Sequence, residues 1–245
     1  MPYLILSDLH ANWEALEAVL RDASGRYDRI LCLGDVVGYG ADPNHAVEWV
    51  RANAAAVIRG NHDRICVDDD SIEDYNYAAQ ASARWTRGEL TKENSAFLRN
   101  LARGPLRIDG FDLCHGSPLD EDEYLIDPGD VAPLRQELDA RLTFFGHTHL
   151  QGGFLIARGG IKRFTPGGLR EGEVLEIGPD HYYLINPGSV GQPRDLDPRA
   201  AYAIYSPGQR AIEFRRVRYD IDSAAGKILD AKLPPVLAAR LYEGS

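Results

Sequence analysis

Five times along this chain a short apolar run ends and gives way at once to aspartate, asparagine or histidine. The junctions are Ser7-Asp8-Leu9-His10, Gly34-Asp35, Gly60-Asn61-His62-Asp63, Cys114-His115 and Gly146-His147-Thr148-His149. The runs before them, such as Tyr3–Leu6, Arg29–Leu33 and Ala55–Ile58, are too short for helices and have the length of buried strands. Helical spacing fills the early gaps: Ala15, Leu16, Val19 and Leu20 within Ala11–Ala23, then Ala46, Val47 and Val50 within Pro43–Asn53. Strand, polar loop, helix, strand predicts an α/β fold built on a buried, mostly parallel sheet with helices outside. Such sheets open their ligand crevice at the carboxyl ends of the strands.

Helices are predicted over Asn76–Gly88, over Lys92–Leu101 with Thr91 as N-cap, and over Val131–Leu138. Leu106–Ile108 and Phe111–Cys114, split by Asp109-Gly110, read as a hairpin. After the strand Leu142–Phe145 come glycine-punctuated strands at Gly153–Arg158, Val174–Ile177, Tyr182–Ile185, Ala201–Tyr205 and Ala211–Arg218. A closing helix over Ile221–Tyr242 should break at Pro234-Pro235. No repeat or long linker divides the chain, so residues 1–245 are expected to form one domain holding two sheets.

A formal net charge of −10 without any lysine- or arginine-rich run disfavours nucleic acid as the main partner, because that binding rests on cationic contacts to phosphates. A small phosphate ester stays open, since a bound metal reverses the local sign. Three cysteines, Cys32, Cys66 and Cys114, suggest no disulfide framework, and no run approaches a membrane span. The expectation is a reduced, cytoplasmic protein with no membrane partner.

Five of the seven histidines lie in the junction loops; His45 and His181 do not. Imidazole, carboxylate and amide oxygen without thiolate suit divalent manganese, iron, nickel, cobalt or zinc. The candidates number about twice what a four-coordinate structural site needs, and two metals sharing a carboxylate accommodate the surplus.

In this order, DLH, GD, GNHD, H and GHTH resemble the motifs of the calcineurin-like metallophosphoesterase superfamily. DLHANWEAL from Asp8, NPGSVGQPRD from Asn186 to Asp195 and the AAYAIYS strand resemble its compact prokaryotic phosphodiesterases. The resemblance implies a two-sheet αββα sandwich with a dinuclear metal site at the strand carboxyl ends. It places Asp8, His10 and His149 on one divalent ion, Asn61, His115 and His147 on the second, and Asp35 between them, with manganese favoured. It further implies that a hydroxide between the ions attacks phosphorus. His62 then protonates the departing alkoxide or neutralises phosphoryl charge, while Asp63 orients His62 and favours its imidazolium.

The favoured function is therefore a phosphodiesterase acting on a small ester. A phosphomonoesterase, including a phosphoprotein phosphatase or a dinucleoside polyphosphate hydrolase, is the rival among enzymes. Arg59, Arg64 and Arg194 are the cations near the motifs whose availability separates these readings. A non-catalytic scaffold on the same fold, or a metal-sensing or storage protein, is weaker, because the GNHD histidine is retained. The acidic stretches 68–74 and 120–123 are expected as solvated loops at the rim, with Tyr75 and Tyr77 nearby. The 186–195 loop is expected to be structural, Arg194 either gripping phosphate or bonding backbone carbonyls. A homo-oligomer through exposed sheet edges is left open.

Overall fold

The computed structural model describes residues 1–68, 72–166 and 173–245. Alternation along the first strand, β1 (Tyr3–Leu6), sets the architecture. Leu4 and Leu6 enter a core beneath helices, whereas Tyr3 and Ile5 enter a second core between two sheets. Both faces of the strand are therefore buried, which explains its unbroken apolar run.

Helix α1 (Trp13–Asp22) follows, its first turn capped by the Asn12 side chain, which accepts from Ala15 N at 3.2 Å. Then come β2 (Arg29–Cys32), α2 (Pro43–Asn53) with proline in its first turn, and β3 (Ala56–Val57). Next are α3 (Asn61–Val67), α4 (Tyr77–Glu89) and α5 (Lys92–Arg99), the last capped by Thr91 as predicted. The predicted hairpin forms β4 (Leu106–Ile108) and β5 (Phe111–Leu113). Helix α6 (Pro128–Val131) and β6 (Leu142–Phe144) lead to β7 (Gly152–Ala157) and β8 (Gly160–Phe164). Then follow β9 (Glu173–Glu176), β10 (Tyr182–Asn186), β11 (Ala200–Ser206) and β12 (Ala211–Val217). Helices α7 (Ile221–Asp230) and α8 (Pro235–Glu243) close the chain, divided at the predicted prolines.

The strands make two six-stranded sheets, ordered β3-β2-β1-β11-β12-β9 and β4-β5-β6-β10-β7-β8. They face each other across a core that includes Phe111, Phe144, Ile185 and Phe214. Helices flank both, giving an α/β sandwich. Neither sheet is mostly parallel. Only β1, β2 and β3 are parallel in the first, and β5, β6 and β10 in the second. Hairpin turns such as the one joining β7 to β8 can connect only antiparallel neighbours.

Two other expectations need correction. The predicted Val131–Leu138 helix is the short α6 and a separate 3₁₀ turn at Pro133–Gln136, because Pro133 has no amide hydrogen to continue the helix. The GNHD stretch is not a plain loop, since Asn61 begins α3. The six parallel strands bring their carboxyl ends, and so all the motif loops, to one edge of the sandwich.

Candidate metal centre

Five of the proposed ligands, Asp8, His10, Asp35, His147 and His149, have left-handed backbone, with φ between 48° and 63°. Aspartate and histidine tolerate this region better than most residues. The turns are held from the neighbouring loop: Asp8 N donates to Gly34 O at 3.1 Å and His10 N to Asp35 O at 2.9 Å. Close approach also dictates Gly60, where a Cβ would lie 2.2 Å from Asp35 Oδ1.

The side chains converge as two groups that share Asp35. One comprises Asp8, His10, Asp35 and His149; the other comprises Asp35, His115 and His147, and every member is buried. Asn61 belongs with the second, its Oδ1 lying 3.0 Å from His115 Nε2 and 2.9 Å from His147 Nδ1.

Hydrogen bonds settle which ring nitrogens face inward. His10, His115 and His149 direct Nδ1 at the carbonyls of Val37, Leu33 and Gln192, at 3.2, 2.8 and 2.5 Å. Those carbonyls accept, so each Nδ1 carries hydrogen and each Nε2 faces the centre, with a lone pair whenever the ring is neutral. His147 is reversed: Nε2 donates to Asp122 O at 3.1 Å, which frees Nδ1. The Asn61 amide is fixed by Tyr75, whose hydroxyl donates to Asp122 Oδ1 at 3.2 Å and accepts from Asn61 Nδ2 at 2.9 Å. Its carbonyl oxygen must then face the imidazoles.

Acceptors consequently oppose acceptors. His10 Nε2 lies 3.0 Å from His149 Nε2, and the second inward oxygens of Asp8 and Asp35 are buried without any hydrogen-bond partner. Groups in this state are costly unless a cation lies among them. The residues therefore fit divalent metal, and the all-nitrogen-and-oxygen donor set suits the ions named above.

The electrostatics differ between residues. Burial holds His10 and His149 well below the ordinary imidazole range and lowers His147 to about 3. Burial also pushes Asp8 up to about 6. His115 goes the other way: burial opposes its charge, but Asp35, 3.4 Å from its Nε2, raises it to about 10. Asp35 is held well below the carboxylate range, the pull of His115, His62 and His10 outweighing burial.

His62 sits at the mouth of this cluster, its ring centre 5.0 Å from that of His10 and 4.3 Å from that of Tyr39. Gly38 makes the room, since a Cβ there would lie 2.8 Å from His62 Nδ1. That nitrogen is buried with no partner. The expected bond from Asp63 to His62 does not form. Asp63 accepts from Val36 N, Val37 N and Gly60 N at 2.8, 3.2 and 3.0 Å, tying the start of α3 to the loop after Asp35. Asp63 makes no contact with the ring, and burial lowers His62 to about 4.

The acidic segment 120–123 is not merely solvated. Glu121 is 4% exposed and pairs with Arg59 and Arg64, while Arg64 also reaches Asp122 at 2.9 Å. Of the other acidic stretch, residues 69–71 lie outside the described residues, and Asp74 lines a cavity. That cavity, of about 390 Å³, opens beside Asn61 and His147 and is walled by Tyr75 and Tyr124; Tyr77 is 80% exposed. His45 stacks on Trp13 at 3.5 Å, a packing role, and Cys114 is buried under the second sheet.

The 186–195 loop is structural in most of its contacts. Gly191 N and Ser189 Oγ both donate to Asp8 O at 2.9 Å, and Asn186 Nδ2 donates to Gly146 O at 2.8 Å. The Arg194 side chain, however, bonds no backbone carbonyl among the described residues, and points to Tyr39 and Gln192. Two tyrosines escaped sequence reasoning: Tyr39, packed on His10 and His62, and Tyr124, whose ring centre is 4.0 Å from that of His147. Only the placement of Tyr39 between Gly38 and Gly40, just after the Gly34-Asp35 motif, offered a signal.

A sandwich of mixed sheets that gathers aspartate, histidine and asparagine at its strand ends is the architecture of a metallophosphoesterase. The signature of the calcineurin-like phosphoesterase superfamily domain matches residues 1–209, and the chain belongs to that superfamily. It is thus a metal-dependent phosphoester hydrolase by family and site. The protein MJ0912 of Methanocaldococcus jannaschii is 38% identical over 249 residues, spanning 98% of this chain and 97% of that one. A metallophosphoesterase from Sphaerobacter thermophilus is 39% identical and superimposes with a TM-score of 0.87, over 100% of this chain and 99% of its own. The Pyrococcus horikoshii protein PH1004 shares the fold at 19% identity, with a TM-score of 0.77 over 100% and 98% of the two chains.

Proposed function

We propose that this hydrolase is a phosphodiesterase for small esters, with two divalent ions, manganese first among them. Asp8, His10 and His149 would hold one ion, Asn61, His115 and His147 the other, and Asp35 would be common to both groups. The observation that carries the reading is the opposition of inward-facing acceptors in two groups that share one carboxylate. Bound there, the ions supply an activated water and Lewis-acid polarisation of the phosphoryl group.

The chain's own residues do the rest. His62, neutral near pH 7, donates a hydrogen bond to the ester oxygen that departs. Asp63 is a positioning residue, fixing the amides at the start of α3 so that Asn61 and His62 face the substrate. The cavity walled by Tyr75 and Tyr124 receives the alcohol portion. Residues 1–245 act as one unit in this reading, since α7 and α8 pack on the cluster that includes Tyr39.

The diester is favoured over the monoester by charge. Arg59 and Arg64, which would serve extra phosphate charge, are occupied by Glu121 and Asp122. A polyphosphate substrate would meet carboxylates at this rim. The test is hydrolysis of bis(p-nitrophenyl) phosphate beside p-nitrophenyl phosphate by chelator-stripped protein reloaded with manganese. Diester turnover well above monoester turnover is expected; the reverse order would replace the reading with a phosphomonoesterase.

A further inference from the structure

We infer that Arg194 binds a non-bridging oxygen of the substrate phosphoryl group, and that two tyrosines hold it in place until the substrate arrives. The inference rests on the phosphoesterase reading above and adds the residue that completes the charge of its site.

The backbone brings Arg194 to the centre. Its amide donates to His149 O at 3.3 Å, so the end of the 186–195 loop is sewn to a ligand turn. The guanidinium then spans the mouth. Nη2 lies 3.3 Å from the Tyr39 hydroxyl and 3.4 Å from Gln192 Oε1, and its carbon lies 5.8 Å from the centre of the Tyr39 ring. Tyr124 contributes a second hydroxyl. Tyr39 packs on His10 and His62, and Tyr124 packs on His147. Arg194 therefore bridges the aromatic walls of the two metal-ligand groups.

Its partners are all neutral. Arg59 and Arg64 are paired with carboxylates, whereas no carboxylate lies within ion-pair distance of Arg194 among the described residues. A guanidinium has five N–H donors, and the neutral oxygens of Tyr39, Gln192 and Tyr124 leave some of them unspent. A partly buried cation without a counter-ion is costly to keep, and an incoming phosphate relieves that cost with the planar, charge-assisted geometry arginine provides. As charge builds on the non-bridging oxygens, a preset donor of this kind stabilises the transition state. One unpaired guanidinium matches the single negative charge of a diester.

The experiment uses manganese-loaded protein and the variants Arg194→Ala and Arg194→Lys. Calorimetry reads binding of inorganic phosphate, and kinetics read bis(p-nitrophenyl) phosphate, with metal content and melting temperature as controls. Arg194→Ala should weaken phosphate binding on the order of tenfold or more and lower kcat/KM on the order of 10²–10³. Arg194→Lys should recover part of both, and metal content and melting should stay at wild-type levels. Unchanged phosphate affinity in Arg194→Ala overturns the inference. So does loss of metal or of melting temperature in both variants, which would make the residue a part of the loop's architecture. If the wild-type chain cleaves neither ester yet binds phosphate through Arg194, the proposed function fails and this inference stands. If it cleaves diesters and Arg194→Ala binds phosphate normally, the inference alone fails.

Discussion

The two halves of the metal centre are built differently. Around Asp8, His10 and His149 the supports are mostly backbone: Val37 O and Gln192 O take the outer imidazole hydrogens, and neighbouring loops hold the left-handed turns. Around Asn61, His115 and His147 much of the support is carried by side chains. Tyr75 orients the Asn61 amide, and a network of Arg59, Arg64, Glu121 and Asp122 holds the segment whose carbonyl receives the His147 hydrogen. The open cavity lies on this second side. A half supported by main chain is rigid and hard to alter by substitution, while a half supported by side chains is adjustable from outside the ligand set. On the proposed function, the first half would anchor metal, and the second would set affinity and meet substrate.

The severest break removes what the halves share. Asp35→Ala should abolish hydrolysis and lower the metal content of both groups together, as read by elemental analysis after dialysis. Retention of full metal would show that Asp35 is not common to them.

Asp63→Ala comes next, because it leaves the amides of Val36, Val37 and Gly60 without their acceptor. Each buried unpaired amide costs about 1–3 kcal/mol, so a loss of about 3 kcal/mol or more is expected in denaturant unfolding. Wild-type stability with only an altered pH–rate profile would restore the discarded role of tuning His62.

Tyr75→Phe should sharpen the comparison by striking one half. Losing the Asn61 partner should weaken one metal about 10–100-fold in chelator competition and leave the other unchanged. Equal weakening of both would deny the asymmetry.

The smallest effect concerns protons. His10, His147 and His149, all lowered, bind metal without releasing one, whereas His115, raised to about 10, must surrender its proton. Between the ordinary imidazole value and about 10, affinity at the second group should therefore rise as pH rises, by about tenfold per unit for one proton. The same raised value means that His115 stabilises the metal-free fold fully below its unfolded pKa of roughly 6.5 and loses that contribution as pH climbs through about 10. Calorimetry of metal binding in buffers of different ionisation enthalpy should count one proton for one ion and none for the other.

The candidate ligands were legible because each interrupts an apolar run, and burial of a strand leaves a polar residue at its end little other purpose. The partners of Asp63 were not legible: it lies 26 and 27 residues from Val37 and Val36, and nothing local names which amides a carboxylate will accept. Arg59 and Arg64 could be read only as cations, since Glu121 is 62 and 57 residues away. β8 went unseen because Lys162 and Arg163 mask its alternation, charge being what an edge strand uses against unwanted pairing. The mixed sheets were missed for a related reason: the early strand-helix cycles are parallel, and the later turns are too short to continue that pattern.

Asp8 accepts from His147, 139 residues away, and its carbonyl accepts from Ser189, 181 residues away. Residue 189 must therefore have left the ribosome before Asp8 acquires both of these neighbours. During synthesis the early strands can associate and bring Asp8 and His10 to Asp35, but His149, the fourth member of that group, is still to come. Assembly of the whole ligand set is thus deferred until residues 147–149 and the loop that ends at Arg194 have emerged, and a product stalled earlier would display an incomplete set.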